Sequence, residues 1–294
     1  MNQEILKTIK EKRPTISESS LKTYESIIRN LYKKVFKDEL YELDKFNTQS
    51  DKVLEFLNET SSNKRKTILS ALVVITHNIN YRDKMINDIK EYNKTEAKQE
   101  KTEKQKENWV EINEITNIKN KLEKVSNLLY KKENKTANDY QDIQNYILIC
   151  LYGGIYLPPR RSLDYVNMKI KNENKNIDNY IHRGYFIFNT YKTSKSYGQQ
   201  KVQIPIKLKA ILNKWIKINP TEYLLFDSSN GQLSNIKLAQ RLNKIFDKKA
   251  SVNQMRKTYL SSKYSSSIDT KKDLEEDFKV MGSSVLQENI YIKK

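Results

Sequence analysis

Apolar residues recur at helical spacing through most of the chain. In SLKTYESIIRNLYKKVF, residues Leu21, Tyr24, Ile27, Ile28, Leu31, Tyr32 and Val35 fall on one face of a helix. Ser17 and Ser20 stand before or at its start as candidate N-caps. Two further periodic stretches follow, SDKVLEFLNET and SSNKRKTILSALVVITHNI, and the second opens with Lys64, Arg65 and Lys66. Residues 1–92 therefore read as a helical domain. The run YNKTEAKQEKTEKQKEN, from Tyr92 to Asn108, has almost no apolar position. A linker or a solvated helix is expected over 93–108, with the domain boundary there.

Beyond residue 109 the helical period returns in WVEINEITNIKNKLEKV and in the more apolar YQDIQNYILICLYGGIYL, which Gly153, Gly154 and Pro158–Pro159 bring to an end. The pattern then changes. Tyr185 to Tyr191 is aromatic and β-prone, Gly198 suits a turn, and Lys201 to Ile206 alternates, which predicts a β-hairpin. IKLKAILNKWI and SNIKLAQRLNKIF read as helices, EYLLF as a short extended piece, and Asp273 to Met281 as another helix. In SVNQMRKTYLSS, Val252, Met255 and Tyr259 form an apolar helical face with Arg256 at its edge. The expected fold class is mainly α with a small β-sheet, in two domains covering 1–92 and 109–294.

Charge narrows the partners. Lys and Arg number 54 against 36 Asp and Glu in 294 residues, a formal net charge of +18. A surplus of this size points to nucleic acid or an anionic membrane. The longest apolar stretch, YILICLYGGIYL, is too short to span a bilayer, and MNQEILKTIKEKRP lacks the apolar segment of a signal peptide. The single cysteine, Cys150, excludes a disulfide framework and a cysteine zinc cluster. His77 and His182 lie far apart in the chain. An intracellular protein without metal or other cofactor is expected, with nucleic acid as its partner and no membrane.

The chemistry open to such a chain is limited. GGIYLPPRRS lacks the Gly-Lys-Ser/Thr ending of a phosphate-binding loop. Arg, Lys and Tyr remain. Two arginines can clamp the non-bridging oxygens of a phosphodiester, a tyrosine can attack it, and a lysine can protonate the leaving oxygen. The chain supplies these parts in order: Arg161 with Asp164 in PPRRSLDYVNM, Lys192 or Lys195 in NTYKTSKSYGQQ, Arg256 in VNQMRKTYL, and Tyr291 in VMGSSVLQENIYIKK.

This ordered set resembles the tyrosine recombinase (phage integrase) family, and the resemblance extends over nearly the whole chain. SLKTYESIIRNLYKKVF and NKRKTILSALVVI look like that family's helical core-binding (SAM-like) domain, and the segment from Trp109 like its mixed α/β catalytic domain. The Pro-Pro-Arg-Arg lead-in is familiar from divergent recombinases of eukaryotic large DNA viruses and their mobile elements. The resemblance implies a site-specific recombinase or integrase that cuts and rejoins DNA through a 3′-phosphotyrosine. It implies double-stranded DNA as the partner, self-assembly on it as a dimer or tetramer, and a location at DNA in a host nucleus, viral factory or virion. Tyr291 would be the nucleophile, Arg161 and Arg256 the phosphate clamp, Lys192 the acid, and Asp164 the group that orients Arg161. Lys64, Arg65, Lys66, Arg160, Lys195 and Lys257 are candidate DNA contacts, Arg160 being otherwise solvated.

Two positions depart from the family's pattern. Asn253 stands where His or Lys is usual, three places before the second arginine, and Ser283 stands where His or Trp is usual before the tyrosine. Asn253 can donate a hydrogen bond but cannot shuttle a proton near neutral pH. Loss of a general acid–base group costs about 10²–10⁴ in rate. A weakened recombinase, a DNA-binding relative without catalysis, and a type IB topoisomerase are the readings left open. Tyr259 and Tyr264 are the other tyrosines to consider as nucleophile.

Overall fold

The computed structural model describes residues 2–37, 41–97, 100–264, 271–284 and 287–292. The chain divides into two compact units, Met1–Lys98 and Gln99–Lys294.

The first unit is helical: α1 (Asn2–Lys12), α2 (Glu18–Val35), α3 (Lys45–Thr48), α4 (Ser50–Asn58), α5 (Ser62–Thr76) and α6 (Ile79–Ala97). Ser17 is the N-cap of α2, its Oγ accepting from the Ser20 amide at 3.3 Å, so Ser20 belongs to the first turn instead. The three-and-four spacing places Leu21, Ile28, Leu31 and Tyr32 of α2 in one core with Ile5 and Ile9 of α1 and Leu69 and Leu72 of α5. His77 closes α5 in the left-handed region, at φ 57°.

Residues 93–97 and 103–108 are helical. The last helix of the first unit runs to Ala97, and α7 (Glu103–Asn108) opens the second unit. Thr102 and Gln105 cap α7 reciprocally, which satisfies its exposed amides without apolar burial. Here low apolar content marks solvated helix.

The rest of the second unit is α8 (Ile112–Tyr130), α9 (Ala137–Tyr152), α10 (Ser162–Val166), β1 (Met168–Lys169), β2 (Asn179–His182), β3 (Tyr185–Phe188), α11 (Ser194–Tyr197), β4 (Gln200–Gln203), α12 (Ile206–Ile218), α13 (Asn235–Phe246), α14 (Val252–Tyr264), α15 (Lys271–Val280) and α16 (Glu288–Tyr291). Helix α9 buries every residue from Tyr146 to Tyr152, so it forms the centre of the core rather than a face of it.

The expected hairpin is β3–β4, with Phe186 opposite Val202 and Phe188 opposite Gln200. Strand β2 pairs antiparallel with β3 and parallel with β1, giving the order β1-β2-β3-β4. Arg183 and Gly184 both have positive φ, 47° and 83°, and make the two-residue turn that joins β2 to β3. EYLLF runs beside β1, where Leu224 donates to the Met168 carbonyl at 2.8 Å. The fold is thus mainly α with one small sheet. Among the described residues no helix is long and apolar enough to cross a membrane.

A separate apolar cluster lies at the C-terminal end. Leu260 and Tyr264 of α14, Leu274 and Phe278 of α15, and Met281 enclose Tyr291 and Ile292. Burying an aromatic ring in this way contributes roughly 1.5–3 kcal/mol. That packing docks the short α16 against the helix that carries Arg256.

Candidate active site

Helix α9 stops at Gly153, whose amide donates back to the Ile149 carbonyl at 2.9 Å. Gly154 follows at φ +73°, and a Cβ there would stand 2.7 Å from the Tyr259 ring, so only glycine fits. The prolines then hold the chain extended up to Arg161, the N-cap of α10, at φ −66° and ψ 151°. Consecutive residues in extended backbone send their side chains to opposite sides. Arg160 and Arg161 therefore have different environments.

Arg160 is fully buried. Its Nε donates to Asp164 Oδ2 at 2.8 Å, and its guanidinium stacks 3.8 Å from the centre of the Phe188 ring. The solvated or phosphate-facing position expected of Arg160 is not where it lies. Asp164, expected to orient Arg161, forms its ion pair with Arg160. Arg160 precedes the N-cap of α10 and turns inward, so the buried arginine takes the carboxylate, which offsets the cost of burying both charges. Burial pushes the Asp164 carboxyl upward, and Arg160, then Arg161 and Arg256, oppose that shift.

Arg161 is half-buried and turns toward the C-terminal segment, its Nη2 donating to Ser283 Oγ at 3.4 Å. Ser283 Oγ in turn donates to Gln287 Oε1 at 3.0 Å. Arg256, expected at the edge of the apolar face of α14, is instead fully buried beside Met255, where the Tyr291 hydroxyl accepts from it. Its Nη1 donates to the Tyr291 hydroxyl at 2.6 Å, and its guanidinium lies 4.4 Å from the centre of that ring. Burial pushes Arg256 down to about 10; the Tyr291 hydroxyl raises it again and the charge of Arg161 lowers it. It stays protonated at neutral pH. Arg161, Arg256, and the pair Ser283 and Tyr291 thus come together from three separate stretches of sequence. Arg160 Nη2, Arg161 Nη1 and Arg256 Nε are buried with no hydrogen-bond partner among the described residues. The free donors of Arg161 and Arg256 suit an anion, whereas Arg160 Nη2 lies beside the Gly282 backbone.

The other candidates are placed differently. Lys192 is exposed on the turn after Tyr191, and its neighbour Thr193 donates to the Gly282 carbonyl at 3.3 Å. Lys195 is exposed on α11 and lines a shallow cleft with Asn176, Asn189 and Gln199. Asn253 is exposed in the first turn of α14 and shares a cleft with Ser162 and Asn235. Lys257 is half-buried on α14. In the first unit Lys64 is exposed, whereas the Lys66 ammonium sits 3.1 Å from the centre of the Tyr92 ring and burial lowers its pKa.

Arg65 is a correction. It is buried, and its guanidinium is occupied by Asp88 and by the carbonyls of Leu57, Asn58 and Thr60. It holds helices together and presents no charge to a ligand. Tyr259 and Tyr264 both donate to Asp277 Oδ2, and burial pushes each up to about 12. Neither touches an arginine of the cluster in any described contact.

The sequence reading missed Gly282. At φ +65°, with a Cβ that would lie 3.1 Å from Arg160 Nη2 and 3.5 Å from Arg161 Nη1, it lets the backbone cross both guanidinium groups. The glycine of MGSS was its one signal.

No family model matches the chain, and no curated protein does. Among solved structures it is similar to the crystal structure of XerA recombinase, at 14% identity and a TM-score of 0.40, covering 99% of this chain and 94% of that one. It is similar to a lambda integrase (75–356) dimer bound to a COC′ core site, at 14% identity and a TM-score of 0.48, covering 96% and 87%. It is also similar to XerH site-specific recombinase bound to difH substrate in a pre-cleavage complex, at 16% identity and a TM-score of 0.44, covering 99% and 91%. These are distant likenesses, spread over nearly the whole length of each chain.

Proposed function

We propose that this protein is a site-specific DNA recombinase that breaks and rejoins strands through Tyr291. The observation that carries the reading is the Tyr291 hydroxyl on the Arg256 guanidinium at 2.6 Å, with Arg161 and Ser283 in the same cluster. Residues so distant in sequence have no local reason to meet. Net charge of +18 supports duplex DNA as the partner.

In this reading the scissile phosphate lies against Arg161 and Arg256, which bind the two non-bridging oxygens and offset the charge that grows on them. The Tyr291 oxygen attacks phosphorus in line. The new oxygen–phosphorus bond forms as the bond to the 5′-oxygen breaks, and the phenolic proton passes to water. Lys192, exposed on the connection between β3 and β4, gives the leaving 5′-oxygen a proton. A 5′-hydroxyl from a partner strand reverses the sequence and releases the tyrosine. The bond energy is kept in the phosphotyrosine, so the exchange needs no nucleotide hydrolysis. Ser283 donates to the phosphate once it leaves Gln287.

The first unit then serves as the core-binding domain and the second as the catalytic one, assembling as copies on DNA inside the cell. Pro158-Pro159-Arg160-Arg161 favours an origin among viral or mobile-element recombinases.

The test is covalent capture on nicked suicide duplexes. Wild type should form a protein–DNA adduct through Tyr291. Tyr291→Phe should bind DNA and form none, and Arg256→Ala should also form none because the developing charge is left bare. An adduct that persists in Tyr291→Phe would place the nucleophile elsewhere. A wild type that binds duplex DNA and forms no adduct would favour a DNA-binding relative without catalysis, the reading that Asn253 and Ser283 support. Relaxation of supercoiled plasmid without strand exchange would favour the topoisomerase.

A further inference from the structure

Arg160 takes no part in the phosphate clamp, yet its contacts lead to the nucleophile. Beyond Asp164, its Nη1 donates to Gln200 Oε1 at 2.7 Å and to the carbonyl of Val280, at the end of α15. Gln200, on β4, donates from Nε2 to the Lys279 carbonyl at 3.2 Å. Thr193 donates to the Gly282 carbonyl at 3.3 Å. The last carbonyls of a helix have no partner within it and carry the negative end of its dipole, so a guanidinium is well suited to them. The grip falls on Lys279 to Gly282, the stretch from which the chain passes to Ser283 and on to α16. Phe188 and Tyr191 fix the guanidinium plane, their ring centres 3.8 and 5.2 Å away.

We infer that Arg160 is a positioning residue: together with Gln200 it fixes the Lys279–Gly282 turn, and through it holds Ser283 and Tyr291 against Arg161 and Arg256. The inference rests on the reading of Tyr291 as nucleophile. It also explains why a full charge lies buried beside a motif that needs only one arginine. An apolar side chain could fill the same space, but could not bind a carbonyl of the tyrosine-bearing segment and a hairpin glutamine at once. The hairpin that carries Lys192 and the segment that carries Tyr291 are thereby tied to one guanidinium.

Two variants separate this role from folding. Gln200→Met removes the half-buried partner on β4 and leaves the Arg160–Asp164 pair intact. Arg160→Met combined with Asp164→Leu removes both members of the buried pair, so neither charge is stranded. Three quantities are read on the full chain: duplex affinity, single-turnover adduct formation at saturating DNA, and hydrogen exchange of the amides of 287–292 without DNA. Both variants should bind DNA within about twofold of wild type and form adduct about 10- to 100-fold more slowly, since small misplacements of a reacting group cost this much. Exchange at 287–292 should quicken in both. Unchanged exchange overturns the inference, as does a wild-type rate of adduct formation in the folded double variant. If wild type itself forms no adduct, the proposed function fails, and the exchange measurement alone decides whether Arg160 holds the segment.

Discussion

Arg65 offers the sharpest separation of a structural role from a DNA contact. Its Nε and Nη2 donate to the Asp88 carboxylate at 2.7 and 2.6 Å, and its Nη1 reaches the Thr60 carbonyl at 2.8 Å, with Asn58 and Leu57 at 3.2 and 3.3 Å. Asp88 is only 2% exposed. Arg65→Met strands that carboxylate and leaves the end of α4 without its donor. Breaking one side of a buried ion pair costs about 3–5 kcal/mol. With a urea slope of about 2 kcal/mol/M, the midpoint should fall by about 1.5–2.5 M. Trp109 and Trp215 both lie in the second unit, so tryptophan emission does not report on the first. The measurement is therefore the loss of helical circular dichroism in urea. Adding Asp88→Leu should recover most of the loss, because no charge then remains buried and unpaired. Lys64→Ala, one residue away and exposed, should leave stability within about 0.5 kcal/mol. If Lys64 meets a phosphate, that substitution should lower the salt slope of DNA binding by about 1. A loss under about 1 kcal/mol for Arg65→Met, with a lowered salt slope, would refute the reasoning and return Arg65 to the DNA surface.

Gly282→Ala forces a side chain into the left-handed region with two guanidinium groups against it, and should cost about 1–3 kcal/mol in thermal unfolding. Adduct formation should fall with it. Asn253→His supplies the acid–base group usual at that place in the family; adduct formation should rise about 10-fold or more, and an unchanged rate would remove Asn253 from the chemistry. Asp139 is held at about 2 by Lys132 and the Thr136 amide. Its folded value lies below its unfolded one, so its stabilising effect is present above the ordinary carboxylate range and is lost as pH falls toward 2. Thermal melts of wild type and Asp139→Asn should therefore differ at neutral pH and converge as pH approaches 2.

The legible parts of this molecule were those fixed by local periodicity. The core face of α2 follows from three-and-four spacing, and the β3–β4 hairpin follows from aromatic and alternating runs, whereas on α14 Arg256, Thr258 and Leu260 are buried with Val252 and Met255 while Tyr259 is half-buried. Strand β2 carried no such signal: Asn179–His182 is four residues with no alternation, and its pairing with β1 and β3 decides its state. The same division runs through the arginines. Arg65 and Lys66 are neighbours with equal charge, yet one faces a carboxylate 23 residues on and the other a tyrosine ring. Arg160 and Arg161 are neighbours too, and what separates them is the carbonyl of Val280 and the hydroxyl of Ser283, both over a hundred positions away. Charge is read from the sequence directly, whereas burial of a charge depends on a distant partner that removes its desolvation cost. Spacing could therefore find that an Arg-Arg pair, a hairpin lysine, an arginine in a helix and a C-terminal tyrosine belong to one chemistry. It could not find which arginine would face the tyrosine-bearing segment and which would hold it in place.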